Sequence, residues 1–545
     1  NVSYQVPLNK FPLTDWISVN VKYGFNYNWQ AGQFLQDSAT GAFGIDPRTG
    51  NTIQNSNTKQ VNGNFTLTTL YNKIPFLKRI NSPKPAKQPR VKNAPKPDAP
   101  KNPSDTTGGK KPVVPKVKQP NAIPDGVRFV GKMLMGVKTI GFTYSETNGT
   151  VLPGYMNYSQ AFGQDLDNNS PGLGFAFGSQ KDVREKAVRD NWLTTDTSLN
   201  SSYARTYNQN FSGRSTIEPF DGMKIELNVT RQFTKNNSEY FRWNGTQFES
   251  QSVTETGNFS ISTISLNTAF VKDDKDTYAS SVFEEFSKNR KIISERLAAD
   301  NPNSVGFAAP DTFGVIYNDG YTGTQQEVLT MAFLSAYTGK SASSIKLNPF
   351  TKMPLPNWRI TYDGLSKLPL FKQLFNTVSL THSYRSTYSI NTFNRNLNYV
   401  ESRYQIARDQ SGNFIPAREF GQISISEQFA PLIGVDVTWK NNIQTRVEFK
   451  RDRNVSLTFA GVQVTEVKGN EITFGFGYRL PKFNLPFGLG GKKARTSGNS
   501  LNLTADFSAR RNVTIIRRLL EGVNQPTAGL NRSEEDTSEL QSLRH

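Results

Sequence analysis

Few residues in this sequence have the side chains and the spacing that catalysis or metal binding requires. The chain contains two histidines and no cysteine, which excludes disulfides, thiol catalysis and cysteine-ligated metals. His382 has the chemistry of a general base or a metal ligand, but in SLTHSYRST it shares a strand face with Leu380 and Tyr384. A zinc site would have to rely mainly on carboxylates. We therefore expect a half-buried strand histidine with a polar partner.

Three other stretches resemble ligand-binding motifs only superficially. FGLGGKKART, residues 487–496, lacks the spacing of a phosphate-binding loop because Lys493 is followed by Ala494. LDNNSPG and DKDT offer acidic oxygens without the D-x-[DN]-x-[DN]-G spacing of a calcium loop. The sequence therefore predicts no catalytic residue, no metal site and no cofactor, and a protein that is not an enzyme.

Alternating apolar and polar residues predict β-strands along most of the chain. In DWISVNVKYGFNYNW, residues 15–29, apolar side chains fall on every second residue from Ile17, with polar ones between them. This pattern is typical of a strand with one apolar and one wet face. In the last third of the chain, turn-type residues such as Asn454, Gly469 and Asn470 separate the predicted strands. The other candidate strands are 59–70, 135–146, 222–233, 257–270, 357–365, 376–390, 434–442, 443–452, 454–464, 470–480 and 499–511.

Two architectures fit these strands: a soluble sandwich, with strands of about 5–6 residues, and a transmembrane barrel, with strands of about 9–11 residues and aromatic residues near their ends. Trp16 and Trp29 bracket the first strand, and charges repeat on one face of several strands. This pattern favours an all-β, antiparallel up-and-down transmembrane β-barrel, to which this chain contributes about fourteen strands, with a few short helices in loops. The residues predicted to face a lumen are Asn20, Lys22, Asn26, Glu226, Asn228, Arg446 and Glu448. The aromatic residues predicted to face lipid or its interface are Trp16, Tyr23, Phe25, Trp29 and Trp439.

Three segments interrupt the strand pattern. Residues 82–124 are rich in Pro and Lys and predict a disordered insertion. Residues 280–300 and 326–340 have helical spacing, the second ending at Gly339. Two short amphipathic pieces, 70–80 and 365–375, predict small helices that cap a barrel rim. The predicted layout is barrel strands at 1–81, the disordered insertion at 82–124, barrel strands at 125–270 with a long loop at 147–200, a helical cap or loop insertion at 271–355, barrel strands at 356–531, and a sequencing-adapter artefact at 532–545.

The net charge of +19 raises the possibility of a nucleic-acid partner. Residues 82–120, however, contain nine Lys and one Arg against two Asp. The rest of the excess lies along alternating strands, with no compact basic helix. We therefore expect no nucleic-acid partner.

Long strings of this sequence resemble the SprA/Sov family of the Bacteroidota. The main one is LPNWRITYDGLSKLPLFKQLFNTVSLTHSYRSTYSINTFNRNLNY, residues 355–399. The others are GNTIQNSNTKQVNGNFTLTTLYNKIPFLKRIN at 50–81, YSETNGTVLPGYM at 144–156, ERLAAD at 295–300, QEVLTMAFLSAYTGK at 326–340, NPFTKMPLPNW at 348–358 and NSLNLTADFSARRNVTIIRRL at 499–519. The resemblance extends from Asn1 to about Asn531.

The resemblance implies an outer-membrane translocon of the type IX secretion system, a very large single-chain barrel that exports folded cargo proteins and supports gliding motility in some members. This chain would then be its C-terminal part. The implied partners are secreted cargo proteins, a PorV-like barrel at a lateral gate, a periplasmic plug protein and the lipid bilayer. The helical segments and the loop at 147–200 are candidates for caps or partner contacts. From the strand pattern alone, a nutrient transporter or porin-type barrel is the alternative.

Overall fold

The computed structural model describes residues 1–36, 43–46, 48–81, 125–400, 407–480 and 501–529. Nearly half of these residues belong to one fourteen-stranded antiparallel sheet, and two short strands form a separate hairpin. The predicted disordered insertion at 82–124, the glycine-rich stretch at 487–496 and the predicted artefact at 532–545 lie outside the described residues. The strands are β1 (Val2–Val6), β2 (Ile17–Gln30), β3 (Phe34–Gln36), β4 (Phe43–Ile45), β5 (Asn51–Thr66), β6 (Val137–Tyr155), β7 (Tyr203–Ile217), β8 (Met223–Trp243), β9 (Phe248–Ser262), β10 (Asn357–Tyr362), β11 (Phe375–Arg395), β12 (Arg418–Trp439), β13 (Ile443–Thr458), β14 (Gln463–Leu480), β15 (Leu501–Arg518) and β16 (Val523–Gly529).

The large sheet is a meander with one interruption. Sequential strands pair in the order β1, β2, β5, β6, β7, β8, then β10 to β16, and β9 also pairs with both β8 and β11. β9 and β10 therefore share one strand position in the sheet, between β8 and β11. The chain leaves this position after Ser262 and returns to it at Asn357. The Leu355 amide donates to the Ser262 carbonyl at 2.9 Å, which holds the exit and the return together.

In the part of the chain that the structure describes, helices occupy only the connections between strands. They are α1 (Leu67–Lys73), α2 (Pro75–Asn81), α3 (Asp125–Leu134), α4 (Leu173–Ala176), α5 (Arg184–Arg189), α6 (Leu266–Ala269), α7 (Ser281–Asp300), α8 (Gln326–Thr338) and α9 (Pro369–Leu374). The two predicted longer helices are confirmed as α7 and α8, and α8 ends at Gly339 in the left-handed conformation. The predicted short helices are confirmed as α1, α2 and α9.

The connections differ between the two ends of the sheet. At one end, which we call the insertion end, lie the long loop 156–202 and the insertion 263–356. At the other end, the connections carry α1, α2, α3 and α9, and we call their described residues the collar: 7–16, 67–81, 125–136, 218–222, 363–374 and 440–442. Among the described residues, the two longest stretches outside the sheet are thus at one end, and the predicted short amphipathic helices are at the other.

Several predicted boundaries are wrong. Asn454 lies inside β13, and Gly469 and Asn470 lie inside β14, so these strands of the last third are longer than predicted. A Cβ at Gly469 would lie 2.5 Å from an Asp452 oxygen, so cross-strand packing, not a turn, explains this glycine. The predicted loop at 147–200 begins later because β6 continues to Tyr155. The start of the predicted strand region at 125 is instead α3.

Candidate functional site

One face of the large sheet, here called the polar face, is polar along most of the length of its strands. On β5 it carries alternate residues from Thr52 to Thr66, all of them Thr, Gln, Ser or Asn. On β13 it carries alternate residues from Gln444 to Thr458, again all polar or charged. The residues predicted to face a lumen, Asn20, Lys22, Asn26, Glu226, Asn228, Arg446 and Glu448, all lie on this face.

Charges on the polar face pair across neighbouring strands. Lys450 Nζ lies 2.9 Å from Glu471 and 3.5 Å from Glu448. Arg510 continues the series to β15, with a guanidinium nitrogen 3.0 Å from Asp452. The Arg510–Asp452 pair is partly exposed, and such pairs add little stability, whereas the Glu448 side chain is only 7% exposed. These pairs place charges of both signs on the polar face. They do not add a large apolar patch to it.

The opposite face, here called the apolar face, has an exposed apolar band on the half nearest the collar. Directly paired residues of antiparallel strands point to the same side, so the register assigns these residues to one face. Phe507 is 62% exposed and Phe474 54%. The exposed members of the band are Val21, Ile140, Ile433, Val447, Ile472, Phe474, Phe476, Leu503 and Phe507. Monomeric soluble proteins rarely leave so many large apolar side chains bare on one surface.

The apolar band has the height of a bilayer core and an aromatic lower edge. On β14 the apolar series that contains the band runs from Ile472 to Leu480, roughly 27 Å at about 3.4 Å per residue. A strand tilted by about 40° would cover roughly 21 Å of membrane thickness, near the ~25 Å apolar band of outer-membrane barrels. Near the collar, the rings of Phe375 and Trp439 pack at 4.6 Å and those of Trp16 and Phe65 at 6.0 Å.

The predicted interfacial aromatics fall into two groups on the apolar face. Trp16 and Trp439 lie at the collar edge, as just described. Tyr23, Phe25 and Trp29 lie nearer the insertion end, where they contact the loop 156–202. The Tyr23 hydroxyl donates to the Phe177 carbonyl at 2.9 Å, and the Phe25 ring packs edge-on against the Phe177 ring at 5.1 Å. Trp29 Nε1 donates to a carbonyl of the same loop, so these three residues contact protein.

The insertion 263–356 covers the other part of the apolar face at this end. Helices α7 and α8 bury Phe286, Ile293 and Phe333 against strand residues such as Ile390 and Ile423. α8 is buried on nearly every side, which explains why its sequence lacks a polar stripe. Because it packs on the apolar face, the insertion leaves the polar face uncovered.

A buried ion cluster fastens the insertion to the sheet. Arg517 is fully buried, and its guanidinium lies 3.0 Å from Asp273 of the insertion and 3.2 Å from Glu466 of β14. Lys468 Nζ lies 2.6 Å from Asp273 and 3.2 Å from Glu466. Arg517 also donates to the Tyr278 carbonyl. Two carboxylates and two cations thus balance one another at the docking interface.

A second buried pair lies beside this cluster. Arg453 donates to the Thr268 carbonyl at 2.6 Å and lies 3.3 Å from Glu427. Glu427 accepts hydrogen bonds from Ser265 at 2.6 Å and from the Tyr384 hydroxyl at 2.9 Å. The start of the insertion is therefore bound through charge-assisted hydrogen bonds, which are stronger than neutral ones.

Sequence reasoning missed both buried clusters. Arg453, Glu466 and Arg517 interrupt the apolar alternation of their strands. Such an interruption signals that something polar covers the strand face, but the partner, Asp273, is distant in sequence.

His382 lies on the half-buried part of the apolar face. Its Nδ1 is 2.7 Å from the Leu432 carbonyl. The expected half-buried strand histidine with a polar partner is confirmed.

Burial raises the pKa of Glu327, in the first turn of α8. The folded state therefore holds this proton more tightly than the unfolded chain, so its contribution to stability is present at low pH and is lost as the pH rises through the folded pKa. We expect Glu327→Gln to raise the melting temperature at pH 7.5 and to have little effect near pH 4. Thermal unfolding of both proteins at the two pH values measures this. A Gln variant less stable than the parent protein at pH 7.5 would contradict the expectation.

None of the helices in the described part of the chain is long and apolar enough to cross a membrane. Among the same residues, no group of three His, Asp or Glu side chains is placed to hold a metal ion. No protein-family model matches the chain, and no curated protein is significantly similar to it in sequence.

Proposed function

We propose that this chain forms a sector of an outer-membrane channel that exports folded proteins, the translocon of a type IX secretion system. The observation that carries the proposal is the contrast between the two faces of the large sheet. The polar face carries polar side chains along the whole of strands such as β5 and β13, whereas the apolar face carries a band of exposed apolar side chains with aromatic residues at its collar edge. The wall of a transmembrane barrel needs this contrast, because its outer face contacts lipid and its inner face contacts water.

The polar face suits the passage of folded proteins. Its Ser, Thr, Asn and Gln side chains and its paired charges offer no large apolar patch to which a cargo surface would adhere. Many strands in one barrel give a wide lumen, since the diameter of a barrel grows with the number of strands.

The loop 156–202 and the insertion 263–356 lie on the apolar side of the wall, beyond the apolar band. In the proposed barrel they surround the pore from outside and do not plug it. They are therefore the natural surfaces for a PorV-like lateral-gate barrel, while closure of the pore falls to a separate periplasmic plug protein.

The test is depletion of the full-length protein in a bacterium that encodes it. Cargo proteins with type IX signals are expected to accumulate in the periplasm, because the proposed wall encloses their only way out. Expression of the intact gene from a plasmid is the control and should restore secretion. Normal secretion after depletion would refute the proposal, and an accompanying loss of nutrient uptake would favour a transporter or porin.

A further inference from the structure

The collar has an unusual distribution of apolar side chains. Leu13 is 83% exposed, Leu134 77% and Leu370 71%. The full set of exposed large apolar residues in the collar is Phe11, Leu13, Ile74, Phe76, Val127, Phe129, Val130, Met133, Leu134, Phe220, Leu368, Leu370 and Leu374. These residues come from separate connections at the same end of the sheet, so their exposure is a property of that end and not of one loop.

In helix α3, the apolar side chains are exposed because of the way the helix packs on α2. Its inward side is formed by Arg128, Gly131 and Lys132, and its outward side is apolar. A Cβ at Gly131 would lie 2.8 Å from Ile80 Cδ1, so the glycine permits close packing of α3 on α2. Arg128 Nε donates to the Ile80 carbonyl at 3.1 Å. A helix on the surface of a soluble protein presents the opposite arrangement, with its apolar stripe inward.

The collar is also basic, whereas the insertion end is not. The collar connections contain nine Lys or Arg against five Asp or Glu. The loop 156–202 and the insertion 263–356 together contain thirteen Lys or Arg against sixteen Asp or Glu. Within the described part of the chain, Lys367 and Lys372 have no carboxylate within 4.0 Å. Apolar side chains interleaved with lysines match an anionic lipid surface, in which acyl chains lie beneath charged headgroups.

The collar is continuous with the apolar band. The chain passes from α3 through Gly136 into β6, whose Ile140 belongs to the band, and from α9 directly into Phe375 at its aromatic edge. The collar residues therefore lie where the headgroup layer would begin if the band spans the bilayer core.

We propose that the collar is an interfacial anchor, whose outward apolar side chains insert into one leaflet and whose lysines bind the phosphates of anionic phospholipids. The inference rests on the proposed membrane-spanning function. It adds a partner, the anionic phospholipid leaflet, and assigns it to α3 and α9 with their neighbouring connections.

The experiment uses the absence of cysteine from the chain, which lets a single introduced cysteine carry a fluorescent NBD label. F129C and L370C report the collar, F474C the apolar band, and L166C, in the loop 156–202 and 65% exposed in the parent protein, serves as the control. Each full chain is reconstituted into vesicles of phosphatidylethanolamine and phosphatidylglycerol that contain lipids with a doxyl quencher, placed in separate preparations either near the headgroup or deep in the acyl chain. We expect most of the fluorescence at F129C and L370C to be quenched, and little at L166C.

Charge is tested by the double variant K367E/K372E, labelled at F129C. It should lose the part of the quenching that depends on phosphatidylglycerol, whereas K340E/K346E, in the insertion, should keep it.

Quenching at F474C by deep doxyl groups without any at F129C or L370C would overturn the anchor and leave the membrane-spanning function intact. Cross-linking of two F129C chains in place of quenching would also overturn it, since a second copy would then cover the collar. Lack of quenching at F474C would remove both proposals.

Discussion

Phe507→Arg is expected to prevent most of the protein from reaching a folded state in the outer membrane. Phe507 lies within the apolar band on β15, where its side chain is 62% exposed. If the band faces lipid, an arginine there costs about 2–4 kcal/mol near the middle of the bilayer. A cost of that size is a large part of the stability of most proteins. The folded fraction can be measured by the difference in gel migration between heated and unheated outer-membrane samples.

Ser508→Arg is the matched control. Ser508 is the next residue of β15, so it lies at nearly the same depth but on the polar face, between Asp506 and Arg510. An arginine there would enter water beside an acidic side chain, and we expect near-normal amounts of folded protein. Val21→Arg and Asn20→Arg repeat the comparison on β2, near the other edge of the sheet. If the polar-face variants block assembly and the band variants do not, the two faces have been assigned in reverse.

The faces of the strands follow from sequence because they depend on local geometry alone. Successive side chains of a strand point to opposite sides, so the alternation around Asn20 or Arg446 already decides which residues share a side. All the residues predicted to face a lumen therefore lie on one face of the sheet. Lipid and lumen themselves are not properties of local geometry, so those assignments stay predictions.

The ends of the strands do not follow from sequence in the same way. Gly469 resembles a turn residue, but the side chains of Asp452 and Asn512 crowd it from both neighbouring strands. The exit of the chain after Ser262 depends on hydrogen bonds with Leu355, which is remote in sequence. Such features depend on long-range register, and a pattern read along one strand does not contain that information.

The docking of the insertion likewise depends on register. β14 and β15 pair so that Glu466 and Arg517 lie on the same face within reach of each other, and the chain then brings Asp273 to them. A sequence pattern shows Arg517 only as a charge in an apolar series. The structure supplies the two carboxylates that make its burial possible.

Arg517→Ala is expected to release the insertion from the sheet while the strands stay paired. The substitution leaves Asp273 and Glu466 buried with only Lys468 to balance them. Removing one partner of a buried ion pair typically costs about 3–5 kcal/mol. Limited proteolysis should then cut within 263–280 much faster than in the parent protein, and the protected strand fragments should remain.

Arg518→Ala is the control for this prediction, because Arg518 is the next residue, is half-exposed and pairs with Glu521 on the surface. Its loss should change the proteolysis rate little, as expected for an exposed pair. A double variant, R517M/E466L, removes one cation and one carboxylate, leaves Lys468 paired with Asp273 at 2.6 Å, and should restore much of the protection, since apolar groups of similar volume replace a buried ion pair at small cost. Equal protection of the parent protein and Arg517→Ala would mean that α7 and α8 hold the insertion by apolar packing alone, and that the ion cluster contributes orientation without stability.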